Sequence, residues 1–215
     1  MREGSSPVTG FFRHPSNAVS ALLAAGGVVI LFELGYLFAA APFVAAGALI
    51  FFCVEYVSHR FLLHAAPRPE PSLSRLQKRL HYDHHREPEV PELLFVPLWF
   101  SLPSLSVYAA LYYLLSGSAP IMLALVLGNL VSFLYYEWVH YIAHVPVTPR
   151  TPWGRWMKKY HLLHHYKNEG LWFGVTNPSL DLLFGTYRQA SVAEKSPTVR
   201  SIDRAGHQAG VSRDV

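Results

Sequence analysis

The sequence predicts an all-α integral membrane protein, with four transmembrane helices arranged as two hairpins and a helical cytosolic cap that carries a histidine-rich site. Three observations predict this fold class. The 215 residues are 51% apolar and only 15% charged, whereas soluble domains carry about 25% charged residues. Four apolar stretches approach the roughly 20 residues that a helix needs to cross a bilayer. Ten of the twelve histidines stand in four short groups. This composition excludes a disordered chain, and the single Cys53 excludes an internal disulfide or a cysteine-rich metal site.

The four spans are predicted from apolar runs and from the breaks between them. The runs occupy about residues 18–41, 43–57, 93–115 and 121–143. Helices are favoured because lipid offers no hydrogen-bonding partner to an open backbone. The breaks at Pro42 and at 116–120 contain neither Lys nor Arg. Each break is therefore expected to join the two helices of one hairpin.

The distribution of basic residues predicts the topology. Of the 18 Lys and Arg residues, two precede the first span, six lie between the second and third spans, and ten follow the fourth. Four spans with both termini on one side place all 18 on that side, which should be the cytoplasmic face. The formal charge of +4 is explained by this orientation, so no nucleic-acid partner is expected. Residues 1–16 are polar, and no removable signal peptide is predicted.

The residues that follow the fourth span are expected to form a cap and then a tail. Residues 145–188 are polar but rich in aromatic side chains, which is typical of a folded cap at a membrane surface. We therefore predict a single membrane domain with its cap over 1–188. Residues 189–215 are polar and contain no aromatic residue, and they are predicted to form a mobile tail.

The histidine groups have the spacing of metal ligands. They read HxxxxH, HxxHH, HxxxH and HxxHH, and their members are His59 and His64; His81, His84 and His85; His140 and His144; and His161, His164 and His165. Residues i, i+3 and i+4 share one face of a helix, so each HxxHH is expected to direct three imidazoles one way. His59 and His64 are five apart, so they either bind different metals or stand on a loosened helix.

All ten histidines lie at or beyond the ends of the second and fourth spans, which the predicted topology places on one face. Ten imidazoles suffice for two metals with four or five ligands each, and exceed the need of one tetrahedral zinc. The alternative is a set of surface histidines that titrate near neutral pH. Imidazole binds Fe, Zn, Cu and Ni, so the spacing alone does not select the element.

The same residues resemble the fatty acid hydroxylase superfamily of membrane di-iron enzymes. Four segments are similar to its histidine boxes, in the order EYVSHRFLLH (55–64), LHYDHHREPEVPELLFVPL (80–98), YYEWVHYIAHVP (135–146) and KYHLLHHYKNEGLWFGVTNPSLDLLFGTY (159–187). The similarity runs from about residue 43 to 188. HRFLLH, LLFVP and HHYKN followed by FGVTNPSLD resemble the fatty acid 2-hydroxylase branch more than the sterol enzymes.

The resemblance implies an O2-dependent di-iron monooxygenase that hydroxylates a lipid acyl chain at carbon 2. It implies two iron ions held by the ten histidines, a site that zinc could also occupy. Eukaryotic relatives often carry a fused cytochrome b5 domain, for which this chain has no room. We therefore expect a separate electron donor, such as cytochrome b5 or ferredoxin with its reductase. The remaining alternatives are a sterol or carotenoid oxidase or desaturase on the same scaffold, and a metal-binding membrane protein without catalysis.

Two carboxylates are predicted to support the ligands by fixing imidazole tautomers. Asp181 belongs to the resemblance, and its alternative role is to cap a helix or a turn. Glu137 precedes His140 by three residues and His144 by seven, so it shares their helical face. Its alternative role is that of an interfacial charge.

Overall fold

The computed structural model describes residues 6–66 and 71–202, and this part of the chain contains helices and no strand. Its ten α-helices are α1 (Pro7–Phe12), α2 (Pro15–Glu33), α3 (Ala41–Val57), α4 (Pro71–Gln77), α5 (Asp83–Arg86), α6 (Pro91–Leu94), α7 (Leu98–Ser116), α8 (Ala119–His144), α9 (Pro152–Tyr166) and α10 (Ser179–Leu183). Two π-helical segments, Ser58–Leu63 and Lys78–Tyr82, continue α3 and α4. The predicted all-α fold class is confirmed.

Four helical stretches are long and apolar enough to cross a membrane, as the sequence predicts. They are Pro15–Glu33, Ala41–Leu63, Pro91–Ser116 and Ala119–His144. At most 39% of the apolar window of any span is buried within the protein. Apolar helices that expose so much of their surface are suited to lipid rather than water, so the chain is a multi-pass membrane protein.

The first hairpin turns earlier than the sequence predicts. α2 ends at Glu33, Gly35 adopts a left-handed φ of +65°, and α3 begins at Ala41. Pro42 therefore lies in the first turn of α3, where a proline costs no helical hydrogen bond. The second turn is where it was predicted, because Gly117 ends α7 with φ +62° and α8 begins at Ala119.

The described residues form two compact units. The first comprises 6–54 and 95–138. Within it, α3 and α8 approach so closely that a Cβ on Gly47 would lie 2.1 Å from the carbonyl oxygen of Leu125. A Cβ on Gly128 would lie 2.1 Å from the carbonyl oxygen of Val44. Small residues at such a crossing allow the close backbone packing that holds transmembrane helices together.

The second unit comprises 55–66, 71–94 and 139–202, and it contains all ten histidines of the four groups. α9 packs through Met157 and Tyr160 against the buried indole of Trp172. Lys158 donates hydrogen bonds to the carbonyl oxygens of Ile142, Val145 and Val147 at 3.0, 2.6 and 3.0 Å. Ile142 lies in the last turn of α8 and the two valines follow it, so this ammonium connects α9 to the end of α8.

The predicted tail begins within the second unit. Residues 189–202, which we call the strap, include the buried side chains of Val199 and Ile202. The backbone N–H of Ser196 donates to the carbonyl oxygen of Lys167 at 2.8 Å. The strap therefore packs on the second unit through these two side chains and this hydrogen bond. The predicted domain boundary at residue 188 stays a prediction. Residues 203–215 lie outside the described residues.

Candidate metal centre

The ten predicted ligands converge in the second unit and divide into two sets of five. Group A consists of His59, His64, His81, His85 and His164. Group B consists of His84, His140, His144, His161 and His165. In each group, one ring nitrogen from every histidine lies within 4.8 Å of the others. Eight of the ten histidines are buried, which is unlike the surface histidines that the sequence left as an alternative.

The expectation that each HxxHH directs three rings one way is wrong. His81 and His85 belong to group A, whereas His84 belongs to group B. The second HxxHH repeats the division, with His164 in group A and the other two in group B. The reason is that consecutive residues on a helix diverge by about 100°. A triplet that lies between two groups therefore serves both.

The wide spacing of His59 and His64 is explained by the first π-helical segment. The sequence left two possibilities, different metals or a loosened helix, and the helix is loosened. The backbone N–H of His64 donates to the carbonyl oxygen of His59 at 3.1 Å, which is the i to i+5 pattern of a π-helix. The ring centroids are 4.9 Å apart, and both rings belong to group A.

Ring nitrogens approach one another closely within both groups. In group A, Nε2 of His64 lies 2.7 Å from Nε2 of His81 and 3.1 Å from Nε2 of His164. In group B, the Nε2 atoms of His84 and His140 are 2.8 Å apart, and those of His144 and His161 are 3.0 Å apart. One neutral imidazole nitrogen cannot donate to one ring and accept from another at once, whereas lone pairs that converge on a cation can lie this close.

Burial keeps these rings neutral. The pKa values of His81, His84, His85, His161 and His165 lie well below the ordinary histidine value, first because burial penalises the charged form and then because other histidines are near. Burial lowers the pKa of His164 to about 4, against the opposing hydrogen bond to the Leu171 carbonyl. A neutral imidazole is the form that binds a metal.

A short loop fixes the orientation of two rings of group A. The carbonyl oxygen of Leu171 lies 2.7 Å from Nδ1 of His164, and that of Phe173 lies 2.5 Å from Nδ1 of His59. A carbonyl oxygen only accepts, so each Nδ1 carries the proton and each Nε2 presents its lone pair to the group. Between the two carbonyls, Trp172 adopts a left-handed φ of +59°, a conformation that is rare and strained for a bulky residue. We call residues 171–174 the carbonyl loop.

Asp181 organises the carbonyl loop from behind. This buried carboxylate accepts the backbone N–H groups of Phe173 at 2.9 Å and Gly174 at 2.7 Å. It also accepts the hydroxyls of Tyr160 at 2.8 Å and Thr186 at 2.6 Å. Burial and the neighbouring carboxylate raise the pKa of Tyr160, so this phenol stays protonated and donates. Two of these four hydrogen bonds hold the carbonyl loop and the other two hold Tyr160 and Thr186. The predicted support of an imidazole tautomer by Asp181 stays a prediction.

Two more buried glutamates hold backbone groups. Glu55 accepts the backbone N–H of Val175 at 2.7 Å and the hydroxyl of Thr176, so it anchors the residues that follow the carbonyl loop. Glu137 lies in the first unit, where it accepts the backbone N–H of Val96 at 3.1 Å. Its predicted support of a histidine tautomer stays a prediction.

The nitrogens left without partners fit a metal. Within the described residues, Nε2 of His59 and Nε2 of His85 are buried and make no hydrogen bond, while their Nδ1 atoms face the carbonyl oxygens of Phe173 and Val199. An orphaned buried acceptor is costly unless it binds something. Sets of five imidazoles suit iron, zinc, copper and nickel, and thiolates or carboxylates are not among the grouped ligands. The two groups can therefore each hold a metal ion.

Sequence reasoning missed the backbone carbonyls of Leu171, Phe173 and Val199, as well as Glu55 as an anchor. A carbonyl oxygen has no sequence signature, because every residue carries one. One indirect signal was available for the carbonyl loop: the Asp181 predicted from the fourth box, which hydrogen-bonds that loop.

The fold and the site together define a four-span membrane protein with two all-histidine groups that can each hold a metal ion. The family model described as fatty acid hydroxylase matches residues 44–186, and the chain belongs to this family. The predicted resemblance is thereby confirmed.

Individual relatives agree with this membership. The chain is 33% identical over 204 residues to the ceramide very long chain fatty acid hydroxylase SCS7 of Saccharomyces cerevisiae, covering 86% of this chain and 50% of the relative. It is 31% identical to the dihydroceramide fatty acyl 2-hydroxylase FAH2 of Arabidopsis thaliana, covering 71% and 63%. The solved structure of full-length scs7p, in which only the hydroxylase domain is visible, aligns with a TM-score of 0.74 and 29% identity, covering 86% of this chain and 69% of that one. The chain spans about half the length of the first of these relatives.

Proposed function

We propose that this protein is a membrane di-iron monooxygenase that hydroxylates a lipid acyl chain at carbon 2. The observation that carries the proposal is the convergence of ten histidines, eight of them buried, into two groups of five. Relatives named as fatty acyl 2-hydroxylases and ceramide fatty acid hydroxylases support the reaction and the class of substrate. In this proposal, groups A and B each hold one iron, and all ten histidines are ligands.

Bound iron would supply the activation of O2 and the oxidation of an unactivated C–H bond. The overall reaction consumes one O2, two electrons and two protons, and it yields the alcohol and one water. The two electrons require a separate donor, which we propose to be cytochrome b5 or a ferredoxin with its reductase. The chain's own residues hold the ligands in place. Burial excludes water from the rings, and the carbonyl loop fixes the tautomers of His59 and His164.

The position of the histidines along the sequence supports oxidation near the lipid head group. His140 and His144 lie in the last turns of α8, and His59 lies within the last six residues of the span Ala41–Leu63. An acyl chain in the bilayer would present the carbons next to its head group at this depth. We also propose that this end of the spans faces the cytoplasm, since that topology places all 18 basic residues on the cytoplasmic side.

The test is expression in a host that lacks 2-hydroxylated lipids. Hydrolysed lipids are examined by mass spectrometry for fatty acids that gain one oxygen at carbon 2. His161→Ala removes one ligand of group B, and His207→Ala, outside all four sequence groups, is the matched control. We expect 2-hydroxy fatty acids with the unaltered chain and with His207→Ala, and none with His161→Ala.

Two results would contradict the proposal. Oxygenated sterols or carotenoids without 2-hydroxy fatty acids would favour the alternative substrates on the same scaffold. A purified protein that holds zinc alone, and that gives no oxygenated product when reconstituted with iron and a reductant, would favour a metal-binding role without catalysis.

A further inference from the structure

The strap reaches the metal centre through a backbone carbonyl. Nδ1 of His85 lies 3.2 Å from the carbonyl oxygen of Val199. Both residues are buried, and His85 is fully enclosed. Because the carbonyl only accepts, this contact places the proton of His85 on Nδ1 and leaves Nε2 to face group A. Nε2 has no hydrogen-bonding partner in the described part of the chain.

A latch holds the strap in this position. One carboxylate oxygen of Glu169 accepts the hydroxyl of Ser196 at 2.8 Å and the hydroxyl of Thr198 at 2.6 Å. Thr198 immediately precedes the residue whose carbonyl faces His85. Glu169 follows α9, which carries ligands of both groups. The latch therefore connects the strap to the turn that follows a ligand-bearing helix.

Further contacts fix the strap on both sides of the latch. Upstream, Lys167 donates to the carbonyl oxygen of Ala190, and Asn168 Nδ2 donates to that of Glu194 at 3.2 Å. Downstream, the guanidinium of Arg200 donates to the carbonyl oxygen of Arg86 at 3.1 Å, beside the ligand His85. Its carbon Cζ also lies 5.6 Å from the ring centroid of Tyr166. The strap is thus tied to both HxxHH segments.

We infer that the strap is a working part of the metal centre: latched by Glu169, it supplies the Val199 carbonyl that orients His85 as a ligand of group A. Glu169 is thus a positioning residue, which acts on the metal through the strap. The family match ends at residue 186, so the strap and its Val199 carbonyl lie outside the matched segment, whereas Glu169 lies within it. The inference rests on the proposed metal centre, and it concerns group A alone.

The test measures how fast each of two bound ions leaves the purified full-length protein. Metal content is followed by elemental mass spectrometry during exposure to excess chelator. Glu169→Ala removes both latch bonds, and the loss of such outer support typically lowers metal affinity by 10- to 100-fold. We expect one ion to leave at least about tenfold faster, and the other to leave at the unaltered rate.

Three further variants separate positioning from general destabilisation. Glu194→Ala is the matched control, since this exposed glutamate lies on the same strap. Glu169→Gln keeps an acceptor oxygen for the two hydroxyls and should restore slow release. The double variant Ser196→Ala with Thr198→Val breaks the latch from the other side and should reproduce the loss. It also decides the question if Glu169→Ala does not fold.

The inference is overturned if the latch variants release both ions as slowly as Glu194→Ala, or if both ions leave equally faster. An unaltered protein that binds fewer than two ions would overturn the proposed centre and the inference together. An unaltered protein that holds two ions and releases one faster in the latch variants, yet hydroxylates no lipid, would leave the inference standing and remove only the proposed reaction.

Discussion

Replacing Asp181 with asparagine should destabilise the second unit and loosen its metal site. The carboxylate accepts four hydrogen bonds, two at each oxygen. An amide retains one acceptor oxygen and turns its NH2 toward one backbone N–H, whose bond is lost, and one hydroxyl. The hydroxyl can reverse to accept from the NH2, but its bond to a charged carboxylate is lost, so two charge-assisted bonds disappear. A hydrogen bond to a charged group contributes about 1.5–3 kcal/mol. The expected cost is therefore about 3–6 kcal/mol of the free energy of unfolding.

This cost is measurable by thermal unfolding of the purified protein in detergent. At about 2–4 °C per kcal/mol for a chain of this size, we expect Asp181→Asn to lower Tm by at least about 6 °C. Asp83→Asn is the control, because Asp83 pairs with Lys78 and Arg86 where the lysine is 54% exposed. Such surface pairs contribute at most about 1 kcal/mol. A Tm for Asp181→Asn within about 2 °C of that of Asp83→Asn would refute the assigned role of Asp181.

Three other changes test separate parts of the molecule. Lys158→Met removes three hydrogen bonds to the carbonyls of Ile142 in α8 and of Val145 and Val147 just beyond it, and should cost about 2 kcal/mol in chemical unfolding. A cost no larger than that of the exposed Lys159→Met would contradict this role. Asn129→Leu removes side-chain hydrogen bonds to the Tyr112 hydroxyl and the Gly47 carbonyl. It should lower the free energy of unfolding by about 1–2 kcal/mol in the same assay. An unchanged unfolding midpoint would argue against a contribution of these hydrogen bonds to stability. Chelation of the metals should lower Tm, and the return of iron should restore it, because an ion that binds only the folded state stabilises that state. A Tm that does not change with metal content would contradict metal binding at groups A and B.

The spans and the ligand set could be predicted from sequence because both are local properties. An apolar run of near-bilayer length indicates by itself a helix in contact with lipid, so all four spans were predicted. Histidine spacing reports which residues can serve together, and all ten histidines fall into the two groups. The first hairpin turn was misplaced at Pro42 because proline is as compatible with the first turn of a helix as with a break.

The partition of the ligands could not be predicted because it depends on tertiary neighbours. On an ideal helix, His161, His164 and His165 share a face that spans roughly 100°. The face lies between the two groups, and this position alone places His164 in group A and His161 and His165 in group B. The backbone carbonyls that face the histidine rings could not be predicted either, because the path of the carbonyl loop and of the strap decides which carbonyls reach a ring.

The paired histidines at the end of each HxxHH couple the two groups. His84 and His85 are adjacent on α5, and His164 and His165 are adjacent on α9, so each pair sends one ring to each group. The ring of His85 in group A stacks on that of His165 in group B, with centroids 4.1 Å apart and 21° between the planes. Two metal sites that were far apart would not need ligands from neighbouring residues in the sequence, because different helices could supply the histidines of each site. Because the two Cα atoms of each pair are adjacent on one helix, the backbone sets the distance between the groups, while each ring keeps its own rotamer and its own hydrogen bonds. The repeated HH dipeptide therefore fixes the position of one group relative to the other, which the proposed reaction at two metals would require.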